Sequence, residues 1–249
     1  MHKHELLTEL HRRLRPRTYF EIGVRTGRSM ELSRVPSIGV DPFYEITREL
    51  HCDLHLVRTT SDEFFARAHP FAHFEQGVFD LAFIDGMHLA EFALRDLINT
   101  ERHSHPGSVI VIDDVLPRNV REASREHVSG AWAGDVFKMI DVLRDRRPDL
   151  VVLEVDTAPT GTLVVLLPDA RDRTLTRAYD DVVADFVVPD PQVVPDWSLT
   201  RSRAVAPSVL LDAPIWDALR QARGRRVDDA RDGVRRALES ARLTTGVSA

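Results

Sequence analysis

At 249 residues the chain can bury a substantial core, and its 43% hydrophobic, 29% charged composition with 12 glycines and 14 prolines is that of a globular protein rather than a disordered or fibrous one. A net charge of −6, with arginines interleaved among acids, argues against a nucleic-acid partner. The single cysteine, Cys52, excludes an internal disulfide framework and fits a reducing compartment.

The opening "MHKHELLTELHRRL" lacks the apolar core of a signal peptide, and nowhere do 18 apolar residues run together, so a cytoplasmic protein off the membrane is expected. Lysine occurs only at Lys3 and Lys138 among 33 basic residues, which reads as coding background.

In chain order, "TYFEIGV" (18–24), "SIGV" (37–40), "LHLV" (54–57), "FDLAFI" (79–84) and "SVIVI" (108–112) are short, continuous apolar runs. Such runs predict strands covered on both faces, as in a parallel α/β sheet. "LVVLEV" (150–155) and "TLVVLL" (162–167) are joined by "DTAPTG", too short for a helical crossover, and predict an antiparallel hairpin closing the sheet. Helical spacing covers 88–101 and 134–149, the latter stopped before Pro148. After residue 168 the pattern changes: a Pro-broken loop (187–197) precedes a charged helical stretch (215–243) with weak points at Gly224 and Gly233. The expected division is a domain over 1–168 and an extension over 169–249, serving as a lid, a homo-oligomer contact or a solubilising appendage.

Ligands of open α/β sheets bind outside the carboxyl ends of the strands, so the residues that follow each strand are the candidates for chemistry. After the first strand, Glu21 leads into Gly23 and Gly27, which let backbone approach a ligand, and Ser29 opens the next helix. Arg25 and Arg28 stand where a dinucleotide fingerprint needs glycine, which weakens a nicotinamide reading. Asp41 ends the second strand, placed to accept both hydroxyls of a ribose; Thr60, Ser61 and Asp62 follow the third. Each has a plainer use: glycines in turns, Asp-Pro as a turn opener, Ser61 as the cap of "DEFFAR".

Asp85 follows the fourth strand and Asp113-Asp114 the fifth, so three carboxylates should converge. From the residues alone two readings stand level: a hard cation such as Mg²⁺ compensates them, or Asp85 opens an Asp-Gly turn and one of the pair caps a helix. His103 and His105, before the fifth strand, lie at its wrong end and read as surface histidines. Trp132, Asp135 and Lys138 are candidates to line a pocket, with core packing an equal use for Trp132.

Together "FEIGVRTGRS", "SIGVDP", "FDLAFIDG" and "SVIVIDD" resemble the successive motifs of class I S-adenosylmethionine-dependent methyltransferases, over roughly residues 15–168. The resemblance implies a Rossmann-like, doubly wound sheet of seven strands, with S-adenosylmethionine as cofactor. Gly23 and Gly27 would lie beside its methionine part, Asp41 on its ribose and Ser61 near its adenine; Glu21 would orient the loop or the amino group, and Ser29 and Asp85 complete the cofactor-binding candidates. The family usually has Gly where this chain has Arg25. The spacing of Asp85, Asp113 and Asp114 resembles the ligand set of metal-dependent catechol and sugar O-methyltransferases, which implies Mg²⁺ or another hard divalent cation at these residues. Those enzymes place a base three residues after the first ligand, and here that position is His88. The expected activity is O-methylation of a small molecule with adjacent oxygens: a sugar, a polyketide or a phenol. A metal-dependent hydroxylase or hydrolase on the same scaffold, and a binding protein with a vestigial pocket, remain alternatives.

Overall fold

A computed structural model describes residues 1–243; the end of the expected extension, 244–249, lies outside the described residues. Every apolar run forms a strand: β1 (Tyr19–Ile22), β2 (Ser37–Val40), β3 (Leu54–Val57), β4 (Leu81–Ile84), β5 (Val109–Asp113), β6 (Val151–Val155) and β7 (Thr162–Leu166). They make one sheet in the order β3-β2-β1-β4-β5-β7-β6. Pairing is parallel from β3 to β5, and β7 runs antiparallel to both β5 and β6, as the short "DTAPTG" turn requires.

The strand order reverses between β1 and β4, the switch point at which such sheets open a crevice. Register sets what lines it. Ile22 lies level with Val40 and Ile84, and Ile84 with Ile112, so Gly23, Asp41, Asp85 and Asp113 emerge along one rim.

Side chains alternate between the two faces of the sheet. Phe20, Ile22, Ile38, Ala82, Ile84, Ile110 and Ile112 pack under α2 (Ser61–Phe65), α3 (Ala90–Glu101), α4 (Lys138–Arg146) and α5 (Thr174–Phe186). Tyr19, Leu81, Phe83, Val109 and Val111 face α1 (Lys3–Leu14) and the C-terminal helices α7 (Pro207–Leu211), α8 (Trp216–Ala222) and α9 (Val227–Ser240). A four-residue α6 (Asp196–Leu199) lies between α5 and α7.

Three expected helices change. The one opened by Ser29 is a single 3-10 turn, Met30–Leu32, because Pro36 and the start of β2 follow within a few residues. The 134–149 helix begins only at Lys138, after Gly134 has turned left-handed (φ 59°). The 215–243 stretch breaks at Gly224 into α8 and α9, while Gly233 stays helical inside α9.

The first of these changes explains the tail. With no full helix between β1 and β2, or between β2 and β3, most of the cover on the second face of the sheet comes from α1 and α7–α9. Residues after 168 therefore supply core to both faces, α5 on one and α7–α9 on the other. Leu219 is fully buried, and a side chain at Gly107 would lie 2.2 Å from its carbonyl. Leu219→Ala should lower stability by about 2–5 kcal/mol, the range for truncating a buried leucine. Urea unfolding checks this, and an unchanged midpoint would mean that α8 is a detachable appendage.

At the amino ends of the strands, opposite the rim, His103 and His105 are held by partners in the fold. His105 Nε2 lies 2.7 Å from Asp80 Oδ1, and the His103 ring stacks on Phe71 at 4.2 Å. Asp80 also accepts from the Arg17 backbone N–H at 2.7 Å and pairs with Arg223, joining α8 to the sheet. Burial works to raise the Asp80 carboxyl, but its His105 and Arg17 bonds outweigh that and hold it below the usual carboxylate range.

Candidate active site

Glu21, Gly23, Gly27 and Ser29 form the turn after β1. Gly23 (φ 88°) and Gly27 (φ 83°) are left-handed, and a Cβ on Gly23 would lie 1.9 Å from the Asp85 carbonyl oxygen. Only glycine lets this turn press against the end of β4. Arg25 is left-handed too (φ 48°), so the loop keeps the backbone turn a glycine would make, at a cost of about 1–2 kcal/mol for a residue with a side chain.

Asp41 anchors this loop: its Oδ2 accepts from the Arg25 N–H at 2.7 Å and its Oδ1 from the Phe43 N–H at 2.6 Å. Each oxygen keeps a second lone pair for a ligand hydroxyl. Glu21 is fully buried and accepts from Tyr19 Oη (2.8 Å) and Ser29 Oγ (2.5 Å). Burial raises its carboxyl to about 8 against those bonds. Both Glu21 and Ser29 thus brace the loop from beneath.

Thr60, not Ser61, caps α2, accepting from the Glu63 N–H at 3.2 Å. Ser61 is left to bond Asp96, a buried acid on α3 that burial raises to about 7. Sequence reading passed over Asp96, since an acid within an amphipathic helix looks solvated.

The acidic corner lies where β4 and β5 end. Asp85, Asp113 and Asp114 do converge, and a fourth group joins them that the sequence did not single out: Lys3, at the start of α1. Its Nζ donates to Asp85 Oδ2 at 2.8 Å and to Asp113 Oδ2. Asp114 is left-handed (φ 63°) and accepts from Thr160 Oγ1 at 2.5 Å. Burial raises the Asp113 carboxyl well above its ordinary range, reinforced by the charges of Asp114 and Asp85 and opposed by Lys3.

His88 lies over this corner. Its Nδ1 is 2.7 Å from the Trp132 carbonyl oxygen and 3.3 Å from Asp114 Oδ2, and its Nε2 is 3.5 Å from Asp85 Oδ1. A carbonyl only accepts, so Nδ1 carries hydrogen, and in the neutral imidazole Nε2 is the nitrogen that can take a proton. Burial works to lower the imidazole, but Asp85, Asp114 and the Trp132 carbonyl together raise it to about 9.

The Trp132 ring stacks on His88 at 4.9 Å, and Trp132 Nε1 donates to the Ser124 carbonyl at 2.6 Å, so the irregular 113–133 segment folds back on the site. Gly134 makes that fit possible: a Cβ there would lie 1.6 Å from the His88 carbonyl oxygen. Asp135 and Lys138 are taken up in bonds within the fold. Asp135 is fully buried, accepts from the Ala90 N–H at 2.8 Å at the start of α3, and pairs with Arg125 and Lys138. Between Asp85, His88, Asp113, Asp114 and Val136 a cavity of about 10 Å³ remains, room for one water molecule.

A family model described as "Methyltransferase domain" matches residues 20–115, from the strand holding Glu21 to the residue after Asp114. With the sheet order and the glycine turn, this match makes the part of the chain that builds the rim similar to a methyltransferase domain. Among solved structures, the O-methyltransferase TomG from Streptomyces achromogenes, involved in tomaymycin synthesis and solved with SAM, is 18% identical (TM-score 0.47). That alignment covers 66% of this chain and 79% of that one. An O-methyltransferase from Bacillus cereus, solved with SAH, is 14% identical over 66% of this chain and 80% of that one (TM-score 0.46). The SAH-bound methyltransferase PaMTH1 of Podospora anserina is 13% identical over 67% and 78% (TM-score 0.47). No curated protein matches the chain. Among the described residues, no helix is long and apolar enough to cross a membrane.

Proposed function

We propose that the chain methylates a hydroxyl of a small molecule with adjacent oxygens, a sugar, polyketide or phenol, using S-adenosylmethionine. The observation that carries this reading is His88: an imidazole whose Nδ1 is held by the Trp132 carbonyl and whose Nε2 faces Asp85, on the rim that also bears the glycine turn. S-adenosylmethionine supplies an electrophilic methyl group on a cationic sulfur. Gly23 and Gly27 offer it backbone without side chains, and Asp41 keeps lone pairs for ribose hydroxyls. Ser61, bonded to the buried Asp96, is the candidate to meet the adenine.

Within the site, His88 Nε2 takes the proton that the acceptor hydroxyl loses, and Asp85 stabilises the imidazolium that results. Asp85 and Asp114 can accept hydrogen bonds from neighbouring hydroxyls, which favours an acceptor with adjacent oxygens. Phe43 and Met87, 87% and 55% exposed after β2 and β4, give the rim an apolar lip for the rest of the acceptor.

The magnesium ion expected at Asp85, Asp113 and Asp114 does not fit the arrangement as folded, because an ammonium group already bridges Asp85 and Asp113. A second reading keeps a divalent cation at Asp85, His88 and Asp114, whose ligand atoms lie within 4.8 Å of one another. His88 would then be a ligand and not a base. Incubation with methyl-labelled S-adenosylmethionine and a panel of catechols, sugars and polyketide alcohols, with chelator and with Mg²⁺, tests both. Label in a methyl ether, formed with chelator present, is expected. Label only on nitrogen or carbon would overturn the reading, and label only with Mg²⁺ would favour the second.

A further inference from the structure

Lys3 reaches the acidic corner because the first turn of α1 is fastened to the β6–β7 turn. The Ala158 N–H donates to the Met1 carbonyl at 2.9 Å, the Lys3 N–H donates to Ala158 at 3.3 Å, and Glu5 closes the turn by accepting from the His2 N–H at 2.7 Å. The same β6–β7 turn supplies Thr160 to Asp114, so one loop places both the cation and one of the anions.

The Lys3 side chain is only 17% exposed. Three carboxylates on a buried rim repel one another and lose hydration, which is tolerable only with cations or protons among them. Here the Lys3 ammonium, bonded to both Asp85 and Asp113, supplies such a cation. The residue type is telling: the chain has two lysines among 33 basic residues, yet a lysine stands here. An ammonium is a compact point charge that fits between two carboxylate oxygens, whereas a guanidinium is a planar fork that needs more room. Lysine scarcity is coding background, but the position of this rare lysine is not.

We propose that Lys3 is the resident cation of the acidic corner, standing where a divalent ion would bridge Asp85 and Asp113, and that methyl transfer by this chain needs no divalent metal. The second clause rests on the methyl-transfer reading; the first does not. Lys3 also holds Asp85 Oδ2, leaving Oδ1 to face His88, so it acts as a positioning residue for the base.

The test is calorimetric titration with Mn²⁺ alone, on wild type and Lys3→Met. Removal of the ammonium frees the carboxylates, so Lys3→Met should bind Mn²⁺ roughly tenfold tighter or more than wild type, a difference of about 1.4 kcal/mol for each factor of ten. Equal affinity in the two proteins, whether tight or absent, would overturn the proposal. A stability readout guards against a poorly folded variant: Lys3→Met combined with Asp113→Asn, which loses one charge of each sign, should melt closer to wild type than Lys3→Met does. Losses that simply add would count against the pairing. Once an acceptor is known, wild-type turnover should persist in chelator, and its abolition would refute metal independence. S-adenosylmethionine titrated into the same wild-type protein judges the methyl-transfer reading separately, since failure to bind it would leave the Mn²⁺ comparison intact.

Discussion

His88→Ala should lower kcat by about 10²–10⁴, the usual contribution of a positioned general base, while S-adenosylmethionine binds as in wild type. The separation is expected because His88 touches Asp85, Asp114 and Trp132, whereas the glycine turn is braced by Glu21, Ser29 and Asp41. The pH profile gives a second signature. An imidazole raised to about 9 is mostly protonated at neutral pH, and a base must be neutral to accept a proton. In wild type kcat/KM should therefore climb with pH and level off above about 9. The bound sulfonium is a like charge that favours the neutral imidazole, so the limb in kcat should lie lower in pH than the limb in kcat/KM. In His88→Ala both limbs should vanish. A profile unchanged by the substitution would mean that another group takes the proton.

The same shift bears on stability with the opposite sense. Because the folded imidazole titrates above its ordinary 6.5, His88 stabilises the fold fully below that pH, and the contribution is lost as pH rises through about 9. Stability and turnover should thus move in opposite directions with pH across this window.

Arg147→Met should cost about 3–5 kcal/mol in unfolding free energy, the range for removing one partner of a buried ion pair. Arg147 is among the largest side chains buried in the molecule, and it donates to both oxygens of Glu101 at 2.8 Å. It also reaches Asp149 at 2.9 Å and Asp172 at 3.2 Å, and Glu101 in turn accepts from the Asp169 N–H at 2.9 Å. The arginine therefore ties the end of α3 and the end of α4 to the start of the C-terminal extension. Once it is gone, Glu101 is a buried charge without its partner, and adding Glu101→Gln should recover much of the loss. Urea unfolding of the single and double variants checks this. A loss below about 1 kcal/mol, typical of an exposed pair, would mean that water reaches Glu101.

Strand positions were legible because burial on both faces leaves an apolar run that few other structures produce, and all seven runs became strands within a residue or two. The convergence of Asp85 and Asp113 was legible for a related reason: in a parallel sheet, neighbouring strands end on one rim. What the sequence hid came from elements distant in the chain. Lys3 lies 82 residues from Asp85, on a helix whose partner is a turn beyond residue 155, and no local pattern links them. Thr160 and the Trp132 carbonyl meet the site through loops whose course depends on the left-handed turns at Gly134 and Gly161. The role of the tail stayed open among lid, oligomer contact and appendage because its charge pattern speaks only of its outer face. Its inner face became necessary because the crossovers around β2 hold no full helix.

Calorimetric titration of S-adenosylmethionine into the protein with chelator present, beside Gly23→Ala, tests most directly whether this rim is a methyl-transfer site. Wild type should bind one equivalent without added metal. Gly23→Ala should not bind, because its Cβ would lie 1.9 Å from the Asp85 carbonyl and force the turn away from β4. A folded wild type that takes up no S-adenosylmethionine, or a Gly23→Ala variant that binds it equally well, would contradict the assignment of this rim.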